Sequence, residues 1–560
     1  MRPAAPTSLS GRERVALFVG FQALAFLVYA PALLGPPISD DFSFFFNPYV
    51  QNPSLANLAA ILDPRSQATL SLINYAPVRP LLHALLWKLS PENTLLYHGL
   101  NVALHGVASL LVVPLLLELG LPFGAAVLGG VFFLVHPANV EAVAWMCQVW
   151  SPLALIFSLL ALLWLEQRPA RATLAFALAL LTKPMAVFAL PAAAALAWVR
   201  ERRAAEAKTP SDKAQDSPRP SPWPWIAAWG GLCVLYAVAQ IFAFLDSGQI
   251  QTAPLSPGTR FRFMAVLALR YLVMAATSFG VSAAQEPAIP GSFRDPLFLL
   301  ALPVLLLLGL RLLRTLRDRR PEAVGWVFAL AAFAPVSQVF PFLHPFADRY
   351  LYFILPGLLA AVLLPGAGAL QRIRDPRRRR RCERAVFALA IALCALFAAR
   401  SFGRARLWQS DDALFEDAAR HFPDGICAHL LRARERGGLG DAEGEIRELR
   451  AAVERGQLFS TSSLGNPSLQ RVRDDPRYRA FFLEVSAQGL ELIAKKGRKT
   501  QLDLREAARW HELRGETPEA LASVEEALAL GGPLDATLRA DDARLKQRLV
   551  SSGPLEPQGR

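Results

Sequence analysis

Long apolar blocks without a single charge are what most constrain this chain. Residues 296–310 (PLFLLALPVLLLLGL) and 386–399 (VFALAIALCALFAA) contain no charged side chain. A helix rises about 1.5 Å per residue, so crossing about 30 Å of hydrocarbon takes about 20 residues. Several blocks reach that length with their flanks. Across 560 residues, 53% are hydrophobic and only 19% charged, below the quarter or so usual for soluble domains. The sequence predicts a multi-pass, all-α membrane protein.

The formal net charge of +13 would suit a nucleic-acid binder, but the arginines stand in short loops between apolar spans, at 311–320 and 372–381. That is the positive-inside pattern of cytoplasmic loops. A basic groove with interleaved aromatics would be distributed differently, so no nucleic-acid partner is expected. Cys147, Cys233, Cys382, Cys394 and Cys427 show no metal-like spacing, and only Cys427 lies in the polar tail. A disulfide framework within the tail is therefore not expected. The first apolar run lacks a small-residue cleavage site and reads as a retained span.

Arg12 and Arg14 precede the first span, 15–34, which puts the amino terminus inside and the polar, aromatic loop 38–90 outside. Spans follow at 95–117, 123–135 and 152–165. The stretch 172–199 would be about 42 Å long as one helix. It has arginines at both ends, at 168 and 171 and at 200, 202 and 203. A hairpin broken at Lys183-Pro184, with Lys183 at the outer tip, keeps both basic ends inside, and proline interrupts a helix. A charged cytoplasmic loop, 201–223, leads to a span at 225–245. Residues 264–282 could cross, but Arg270 lies well inside them, and a central arginine costs about 2.5–3.5 kcal/mol on insertion scales. They read instead as an interfacial helix on the outer face, within a segment 246–295. Spans at 297–313, 324–340, 350–364 and 385–400 bring the expected total to eleven, with the carboxyl terminus outside.

From Ser401 the composition turns polar and helical. Ala507, Ala508, Ala520, Ala522 and Ala527 recur around a turn at Arg514-Gly515, which predicts a helical hairpin over 504–531. A second is expected over 412–456, turning at 437–440. Repeats of this kind or an irregular helical bundle would both fit.

Four constellations fall on the outer face. Asp40-Asp41 lies just past span one, either as a solvated turn or as a general base for an acceptor hydroxyl. Asn74, Tyr75 and Arg79 follow in the loop. His98, Asn101 and His105 share one helix face at i, i+3 and i+7, lining a cavity or bonding a neighbouring helix. Their spacing is not that of an adjacent-turn metal pair. The segment from His136 to Trp145 (HPANVEAVAW) carries Glu141 among apolar residues. Finally, Lys183, Arg349 and Arg270, with Asp348 and Tyr350 beside Arg349, put positive charge near the outer leaflet, as a lipid-linked phosphate would need. Snorkelling is the plainer reading of each cation.

In this order, the Asp40-Asp41 doublet, Arg79-Pro80, the His98/Asn101/His105 face, His136 to Trp145, the TKPMAV from Thr182 and the DRYLY of Asp348 to Tyr352 resemble the GT-C membrane glycosyltransferases. The likeness is greatest to bacterial relatives of transmembrane-and-tetratricopeptide-repeat protein O-mannosyltransferases, and it covers essentially the whole chain. The sequence departs where the family often has a Gly-Arg-x-Asp-like segment: here it reads Met146-Cys147-Gln148-Val149-Trp150-Ser151.

The resemblance implies a GT-C-like membrane module over 1–401 and a periplasmic TPR-like helical domain over 402–560. It implies inverting transfer of a sugar from a polyprenyl-phosphate donor to a protein or other hydroxyl acceptor, outside a bacterial inner membrane. In that scheme Asp40 or Asp41 is the base and Glu141 a catalytic partner. Lys183, Arg349 and Arg270 meet the phosphate, and Arg79, His98, Asn101, His105, His136, Asp348 and Tyr350 line the pocket. No cofactor is implied. The doublet lacks the spaced D-x-D form of many metal-dependent transferases, and a divalent ion stays an open alternative. A non-catalytic membrane anchor carrying a repeat scaffold for periplasmic partners is the competing reading. A transporter would show inverted repeats, and none is visible.

Overall fold

The structure is a computed structural model, described here for residues 10–72, 74–207, 221–245, 255–339, 344–464 and 469–551. Among these residues every regular element is a helix. Seven helices are long and apolar enough to cross a membrane: Gly11–Leu34, Thr94–Glu118, Met146–Trp164, Trp223–Leu245, Pro296–Arg317, Asp348–Gln371 and Pro376–Leu407. An eighth is counted if Phe123–Val135 and Pro137–Ala144, bent by 51° at His136, form one span. Pro169–Thr182 and Glu322–Val336 are shorter apolar helices. Most of the expected loop 201–223, the segment's start at 246–254 and the end of the expected span at Phe340 lie outside the described residues.

The chain divides into two compact units. The first comprises Met1–Asp41, Ser90–Tyr236 and Gln251–Leu414; the second comprises Phe42–Leu89, Ala237–Ile250 and Phe415–Arg560. This differs from a cut at 401/402. Pro376–Leu407 is one helix running through that point, and the loop after the acid doublet belongs with the tail.

The first unit has a distinct arginine end. Arg200 pairs with Glu118 and, at 3.2 Å, with Glu166. Arg203 donates to the Leu119 carbonyl at 2.8 Å, Arg202 to that of Asp318, and Arg311 to Glu322 at 2.7 Å. These bonds link five helices, two of them through carbonyls at their C-terminal ends, Leu119 and Asp318. The break predicted at Lys183-Pro184 is present: Pro169–Thr182 ends there, Lys183 is extended at φ −154°, and Ala189–Ala207 returns toward Arg200. Pro257–Thr277 is bonded to two other segments. Near its start Arg262 bonds the Pro290 carbonyl at 3.3 Å, and later the Tyr271 hydroxyl donates to that of Ala347 at 3.1 Å.

Glu322–Phe333 and Asp348–Gln371 approach closely enough that only glycine fits. A Cβ on Gly325 would lie 2.5 Å from the Ala361 nitrogen, and one on Gly357 equally close to that of Ala329. Small residues of this kind let membrane helices pack backbone to backbone.

In the second unit, Tyr49, Ile61 and Ala68 form a small loop core. The predicted tail hairpin over 504–531 is Gln501–Arg514 followed by Thr517–Leu530, with Gly515 in the left-handed region at φ 84° closing the first helix. The other hairpin is Ile426–Gly438 with Ala442–Glu454; Asp411–His421, expected inside it, is a separate preceding helix. Around Trp510, Phe481, Phe482 and Tyr478 the tail builds its main core. Loop and tail are joined by polar contacts. The Gln501 N–H donates to Gln67 Oε1 at 3.1 Å, Gln67 Nε2 to the Gly531 carbonyl at 3.2 Å, and Arg498 to that of Arg65 at 2.8 Å.

Candidate functional site

At the end of the first unit opposite the arginine belt, the two members of the doublet are placed differently. Ser39 takes φ 54°, unusual for a side chain other than glycine or asparagine. It turns the chain so that Asp40 is exposed and Asp41, 1% exposed, is buried. Asp41 Oδ2 accepts the Ile38 N–H at 2.9 Å and Oδ1 the Cys147 N–H at 2.7 Å. Burial pushes its carboxyl up to about 7. The two N–H donors oppose that shift, and the charge of Asp40 adds to it. Asp41 thus fastens the first loop to the segment after Trp145, whose indole donates to the Ile38 carbonyl at 3.1 Å.

The expected histidine and asparagine face serves the same segment. Asn101 donates to the carbonyls of Val143, Trp145 and Met146 at 3.0–3.3 Å. His98 reaches the Gly35 carbonyl at 3.2 Å. His105 lies between the Leu134 carbonyl and the Tyr352 hydroxyl, both at 2.9 Å. His136 accepts the Ala138 N–H through Nδ1 and bonds the Ala275 carbonyl through Nε2, each at 3.2 Å. These four side chains bond main-chain carbonyls and N–H groups and a tyrosine hydroxyl of neighbouring helices and turns.

Glu141 and Arg349 form a doubly bonded pair at this end. The carboxylate takes the guanidinium on one oxygen and the Arg349 main-chain N–H, at 2.7 Å, on the other. Its side chain is 5% exposed and that of Arg349 14%. The guanidinium also lies near the rings of Trp145 (5.6 Å) and Tyr350 (5.1 Å) and within electrostatic reach of Asp40. Glu141 therefore orients a cation. Beside it, Asp348 accepts the Ser282 N–H at 3.0 Å and the Gln285 amide at 2.6 Å, anchoring the segment after Pro257–Thr277. The Tyr350 hydroxyl donates to the His344 carbonyl at 3.2 Å.

Lys183, 5% exposed, bonds Ser151 Oγ at 2.7 Å and Gln148 Oε1 at 3.3 Å, with the Trp150 ring 4.6 Å from its ammonium. Gln148 and Ser151 lie in the Met146–Ser151 segment that follows Trp145. The sequence reading did not single them out; their polarity amid apolar neighbours is the signal that could have done so. Because Cys147 bonds Asp41 and Gln148 bonds Lys183, one short turn ties the acid to the lysine. Arg270 stands apart from these bonds, half-buried on Pro257–Thr277 and interacting with Asp295. Arg79 belongs to the second unit, where it is 1% exposed and lies 3.7 Å over the Phe44 ring.

Among the described residues no group of three His, Cys, Asp or Glu could hold a metal ion. Compared with known protein families and curated proteins, the chain matches no family and no relative.

Proposed function

We propose that the protein is a GT-C-type glycosyltransferase that moves a sugar from a polyprenyl-phosphate donor to a hydroxyl acceptor, a protein or peptide held by the tail. The observation that carries this reading is the division of labour at the acid doublet. Asp41 is locked by two N–H donors, while Asp40 is exposed within electrostatic reach of an oriented, partly desolvated arginine. A base and a cation so placed suit a reaction that takes up a proton as it releases a phosphate.

In the proposed reaction Asp40 takes the acceptor hydroxyl proton as the acceptor oxygen bonds the anomeric carbon from the face opposite the leaving group. The bond from that carbon to the phosphate oxygen breaks, and the oxygen keeps the electron pair. Arg349, oriented by Glu141, and Lys183, held by Gln148 and Ser151, meet the added charge. Removing one such donor typically costs about 2.7–4 kcal/mol of transition-state stabilisation.

The same reading has eleven spans, arginine end in the cytosol, amino terminus cytoplasmic, and the doublet and a TPR-like tail in the periplasm of a bacterial inner membrane. The opposition of the arginine belt and the doublet within one unit supports that sidedness. The test is transfer in membranes supplied with radiolabelled polyprenyl-phosphate mannose and, separately, glucose. Label should reach the protein fraction with the native chain and fall at least a hundredfold with Asp40→Asn. Unchanged transfer in that variant rejects the assigned base; none from either donor with the native chain favours the anchored scaffold.

A further inference from the structure

The long helix Pro376–Leu407 buries one narrow stripe toward its end: Cys394, Phe397, Ser401 and Ala405, with Trp408 at its C-terminal cap. Steps of three and four residues place all five on one helix face, whereas Leu389, Ile391 and Leu396 are exposed. The stripe meets both ends of the segment that carries Glu141. Phe397 meets His136 nearly at right angles, with ring centres 5.1 Å apart, and Ser401 Oγ donates to the Val135 carbonyl at 2.7 Å. Two helical turns further on, the Trp408 indole stacks on that of Trp145, with ring centres 5.6 Å apart and 30° between the planes. Trp408 is itself held closely. A Cβ on Gly35 would lie 2.6 Å from its carbonyl oxygen, and the neighbouring Gln409 donates to the Pro31 carbonyl at 2.7 Å. All of these residues belong to the first unit.

Trp145 links this stripe to the cation. Its indole N–H donates to the Ile38 carbonyl at 3.1 Å, its own carbonyl accepts from Asn101 at 3.0 Å, and the Arg349 guanidinium lies 5.6 Å from its ring centre. The two hydrogen bonds fix one edge of the indole and its main chain, but they leave the ring free to rock about the N–H···O line. A stacked ring removes that rocking, and the attraction of a cation to an aromatic face depends on the tilt of that face. Glu141 holds Arg349 through two contacts of its own, so the plane of Trp145 sets where the guanidinium settles against it. We propose that Trp408 is a positioning residue for Arg349, acting through the plane of Trp145. Phe397 and Ser401 keep the stripe in register at the other end of the Glu141 segment. A side chain needed only to bury the helix end could be any large apolar residue, whereas setting a ring plane takes a flat one. The value of this placement to phosphate departure rests on the proposed function; the placement itself does not.

The test is fluorine NMR of the detergent-solubilised full-length chain carrying fluorotryptophan, with the Trp145 signal assigned by its loss in Trp145→Phe. Arg349→Gln should displace that signal, because it takes the cation from the ring. In a Trp408→Leu chain, the displacement produced by the same Arg349→Gln should shrink to about half or less, as coupled rather than additive contacts require. Trp408→Phe, which keeps a flat ring on Trp145, should retain it. The signal of Trp229, stacked on Phe176 at 4.4 Å elsewhere in the first unit, should stay in place throughout and reports an intact fold. If Trp408→Leu moves Trp229 as well, the milder Trp408→Met is judged by the same Trp145 criterion. An Arg349→Gln displacement of equal size with and without the Trp408 indole would overturn the proposal. So would no displacement in the native chain, or a loss in Trp408→Phe equal to that in the aliphatic variant. None of these outcomes depends on sugar transfer, so failure here is separable from failure of the proposed reaction.

Discussion

Replacing Glu141 tests most directly how the cation at the doublet end is held. The carboxylate makes two contacts with Arg349, one to the guanidinium and one to the main-chain N–H. Breaking a buried ion pair by deleting one partner costs about 3–5 kcal/mol, because the other charge remains desolvated. Glu141→Ala removes both acceptors and should fall in that range. Glu141→Gln keeps one oxygen, which can satisfy either contact but not both, so about 2–3 kcal/mol is expected. Arg349→Gln alone strands the carboxylate at a similar cost. The double variant Glu141→Gln/Arg349→Gln leaves no charge stranded and should be no less stable than either single one, which gives a coupling of about 2–3 kcal/mol. Thermal unfolding in detergent, followed by a thiol-reactive fluorophore at the buried Cys147 and Cys394, provides the comparison. Additive losses would show that the two side chains act independently and would refute the pairing.

Three further outcomes are expected. Asp41→Asn presents an amide group to one of two N–H donors and should destabilise by about 1–3 kcal/mol, whereas Asp40→Asn should leave thermal stability unchanged; melting curves of the pair decide this. Because burial raises the folded-state Asp41 carboxyl to about 7 from its ordinary 3.8, the folded chain binds the extra proton between those values. This carboxyl's contribution to stability should therefore decline as pH rises from about 4 to 7, and the slope should flatten in Asp41→Asn. Gly325→Val would drive a side chain into the Ala361 nitrogen and the Gly357 carbonyl and should cost at least about 1–3 kcal/mol by overpacking, read as a lowered melting temperature.

Much of the helical framework was legible from local signals. The Lys183-Pro184 break follows from proline and from arginines at both ends of an over-long apolar run. The tail hairpin over 504–531 follows from its alanine spacing and the glycine at its turn. The first-loop doublet was equally visible, but its asymmetry was not. Adjacent identical residues carry no local mark of which will meet the N–H of Cys147, 106 positions away. The shared face of His98, Asn101 and His105 was readable from spacing, whereas most of its partners are main-chain carbonyls, which any sequence supplies. Arg79 entered the pocket set only through the resemblance at Arg79-Pro80, and its ring partner Phe44 carries no sequence mark of that contact. Gln148 and Ser151 registered only as a departure from a family pattern, and their role emerged once Lys183 was seen between them.

The joint between Gln67 and Gln501 spans 434 positions of chain. At roughly 5–20 residues per second, a ribosome needs about 20–90 s to supply the second half of that joint after the first. For that interval the early segment must persist without its eventual cover, exposed to proteases and to mispairing. Its maturation is therefore timed by a segment made much later in the chain. A ribosome stalled anywhere in between would leave upstream helices whose first loop had never met its Gln501 partner.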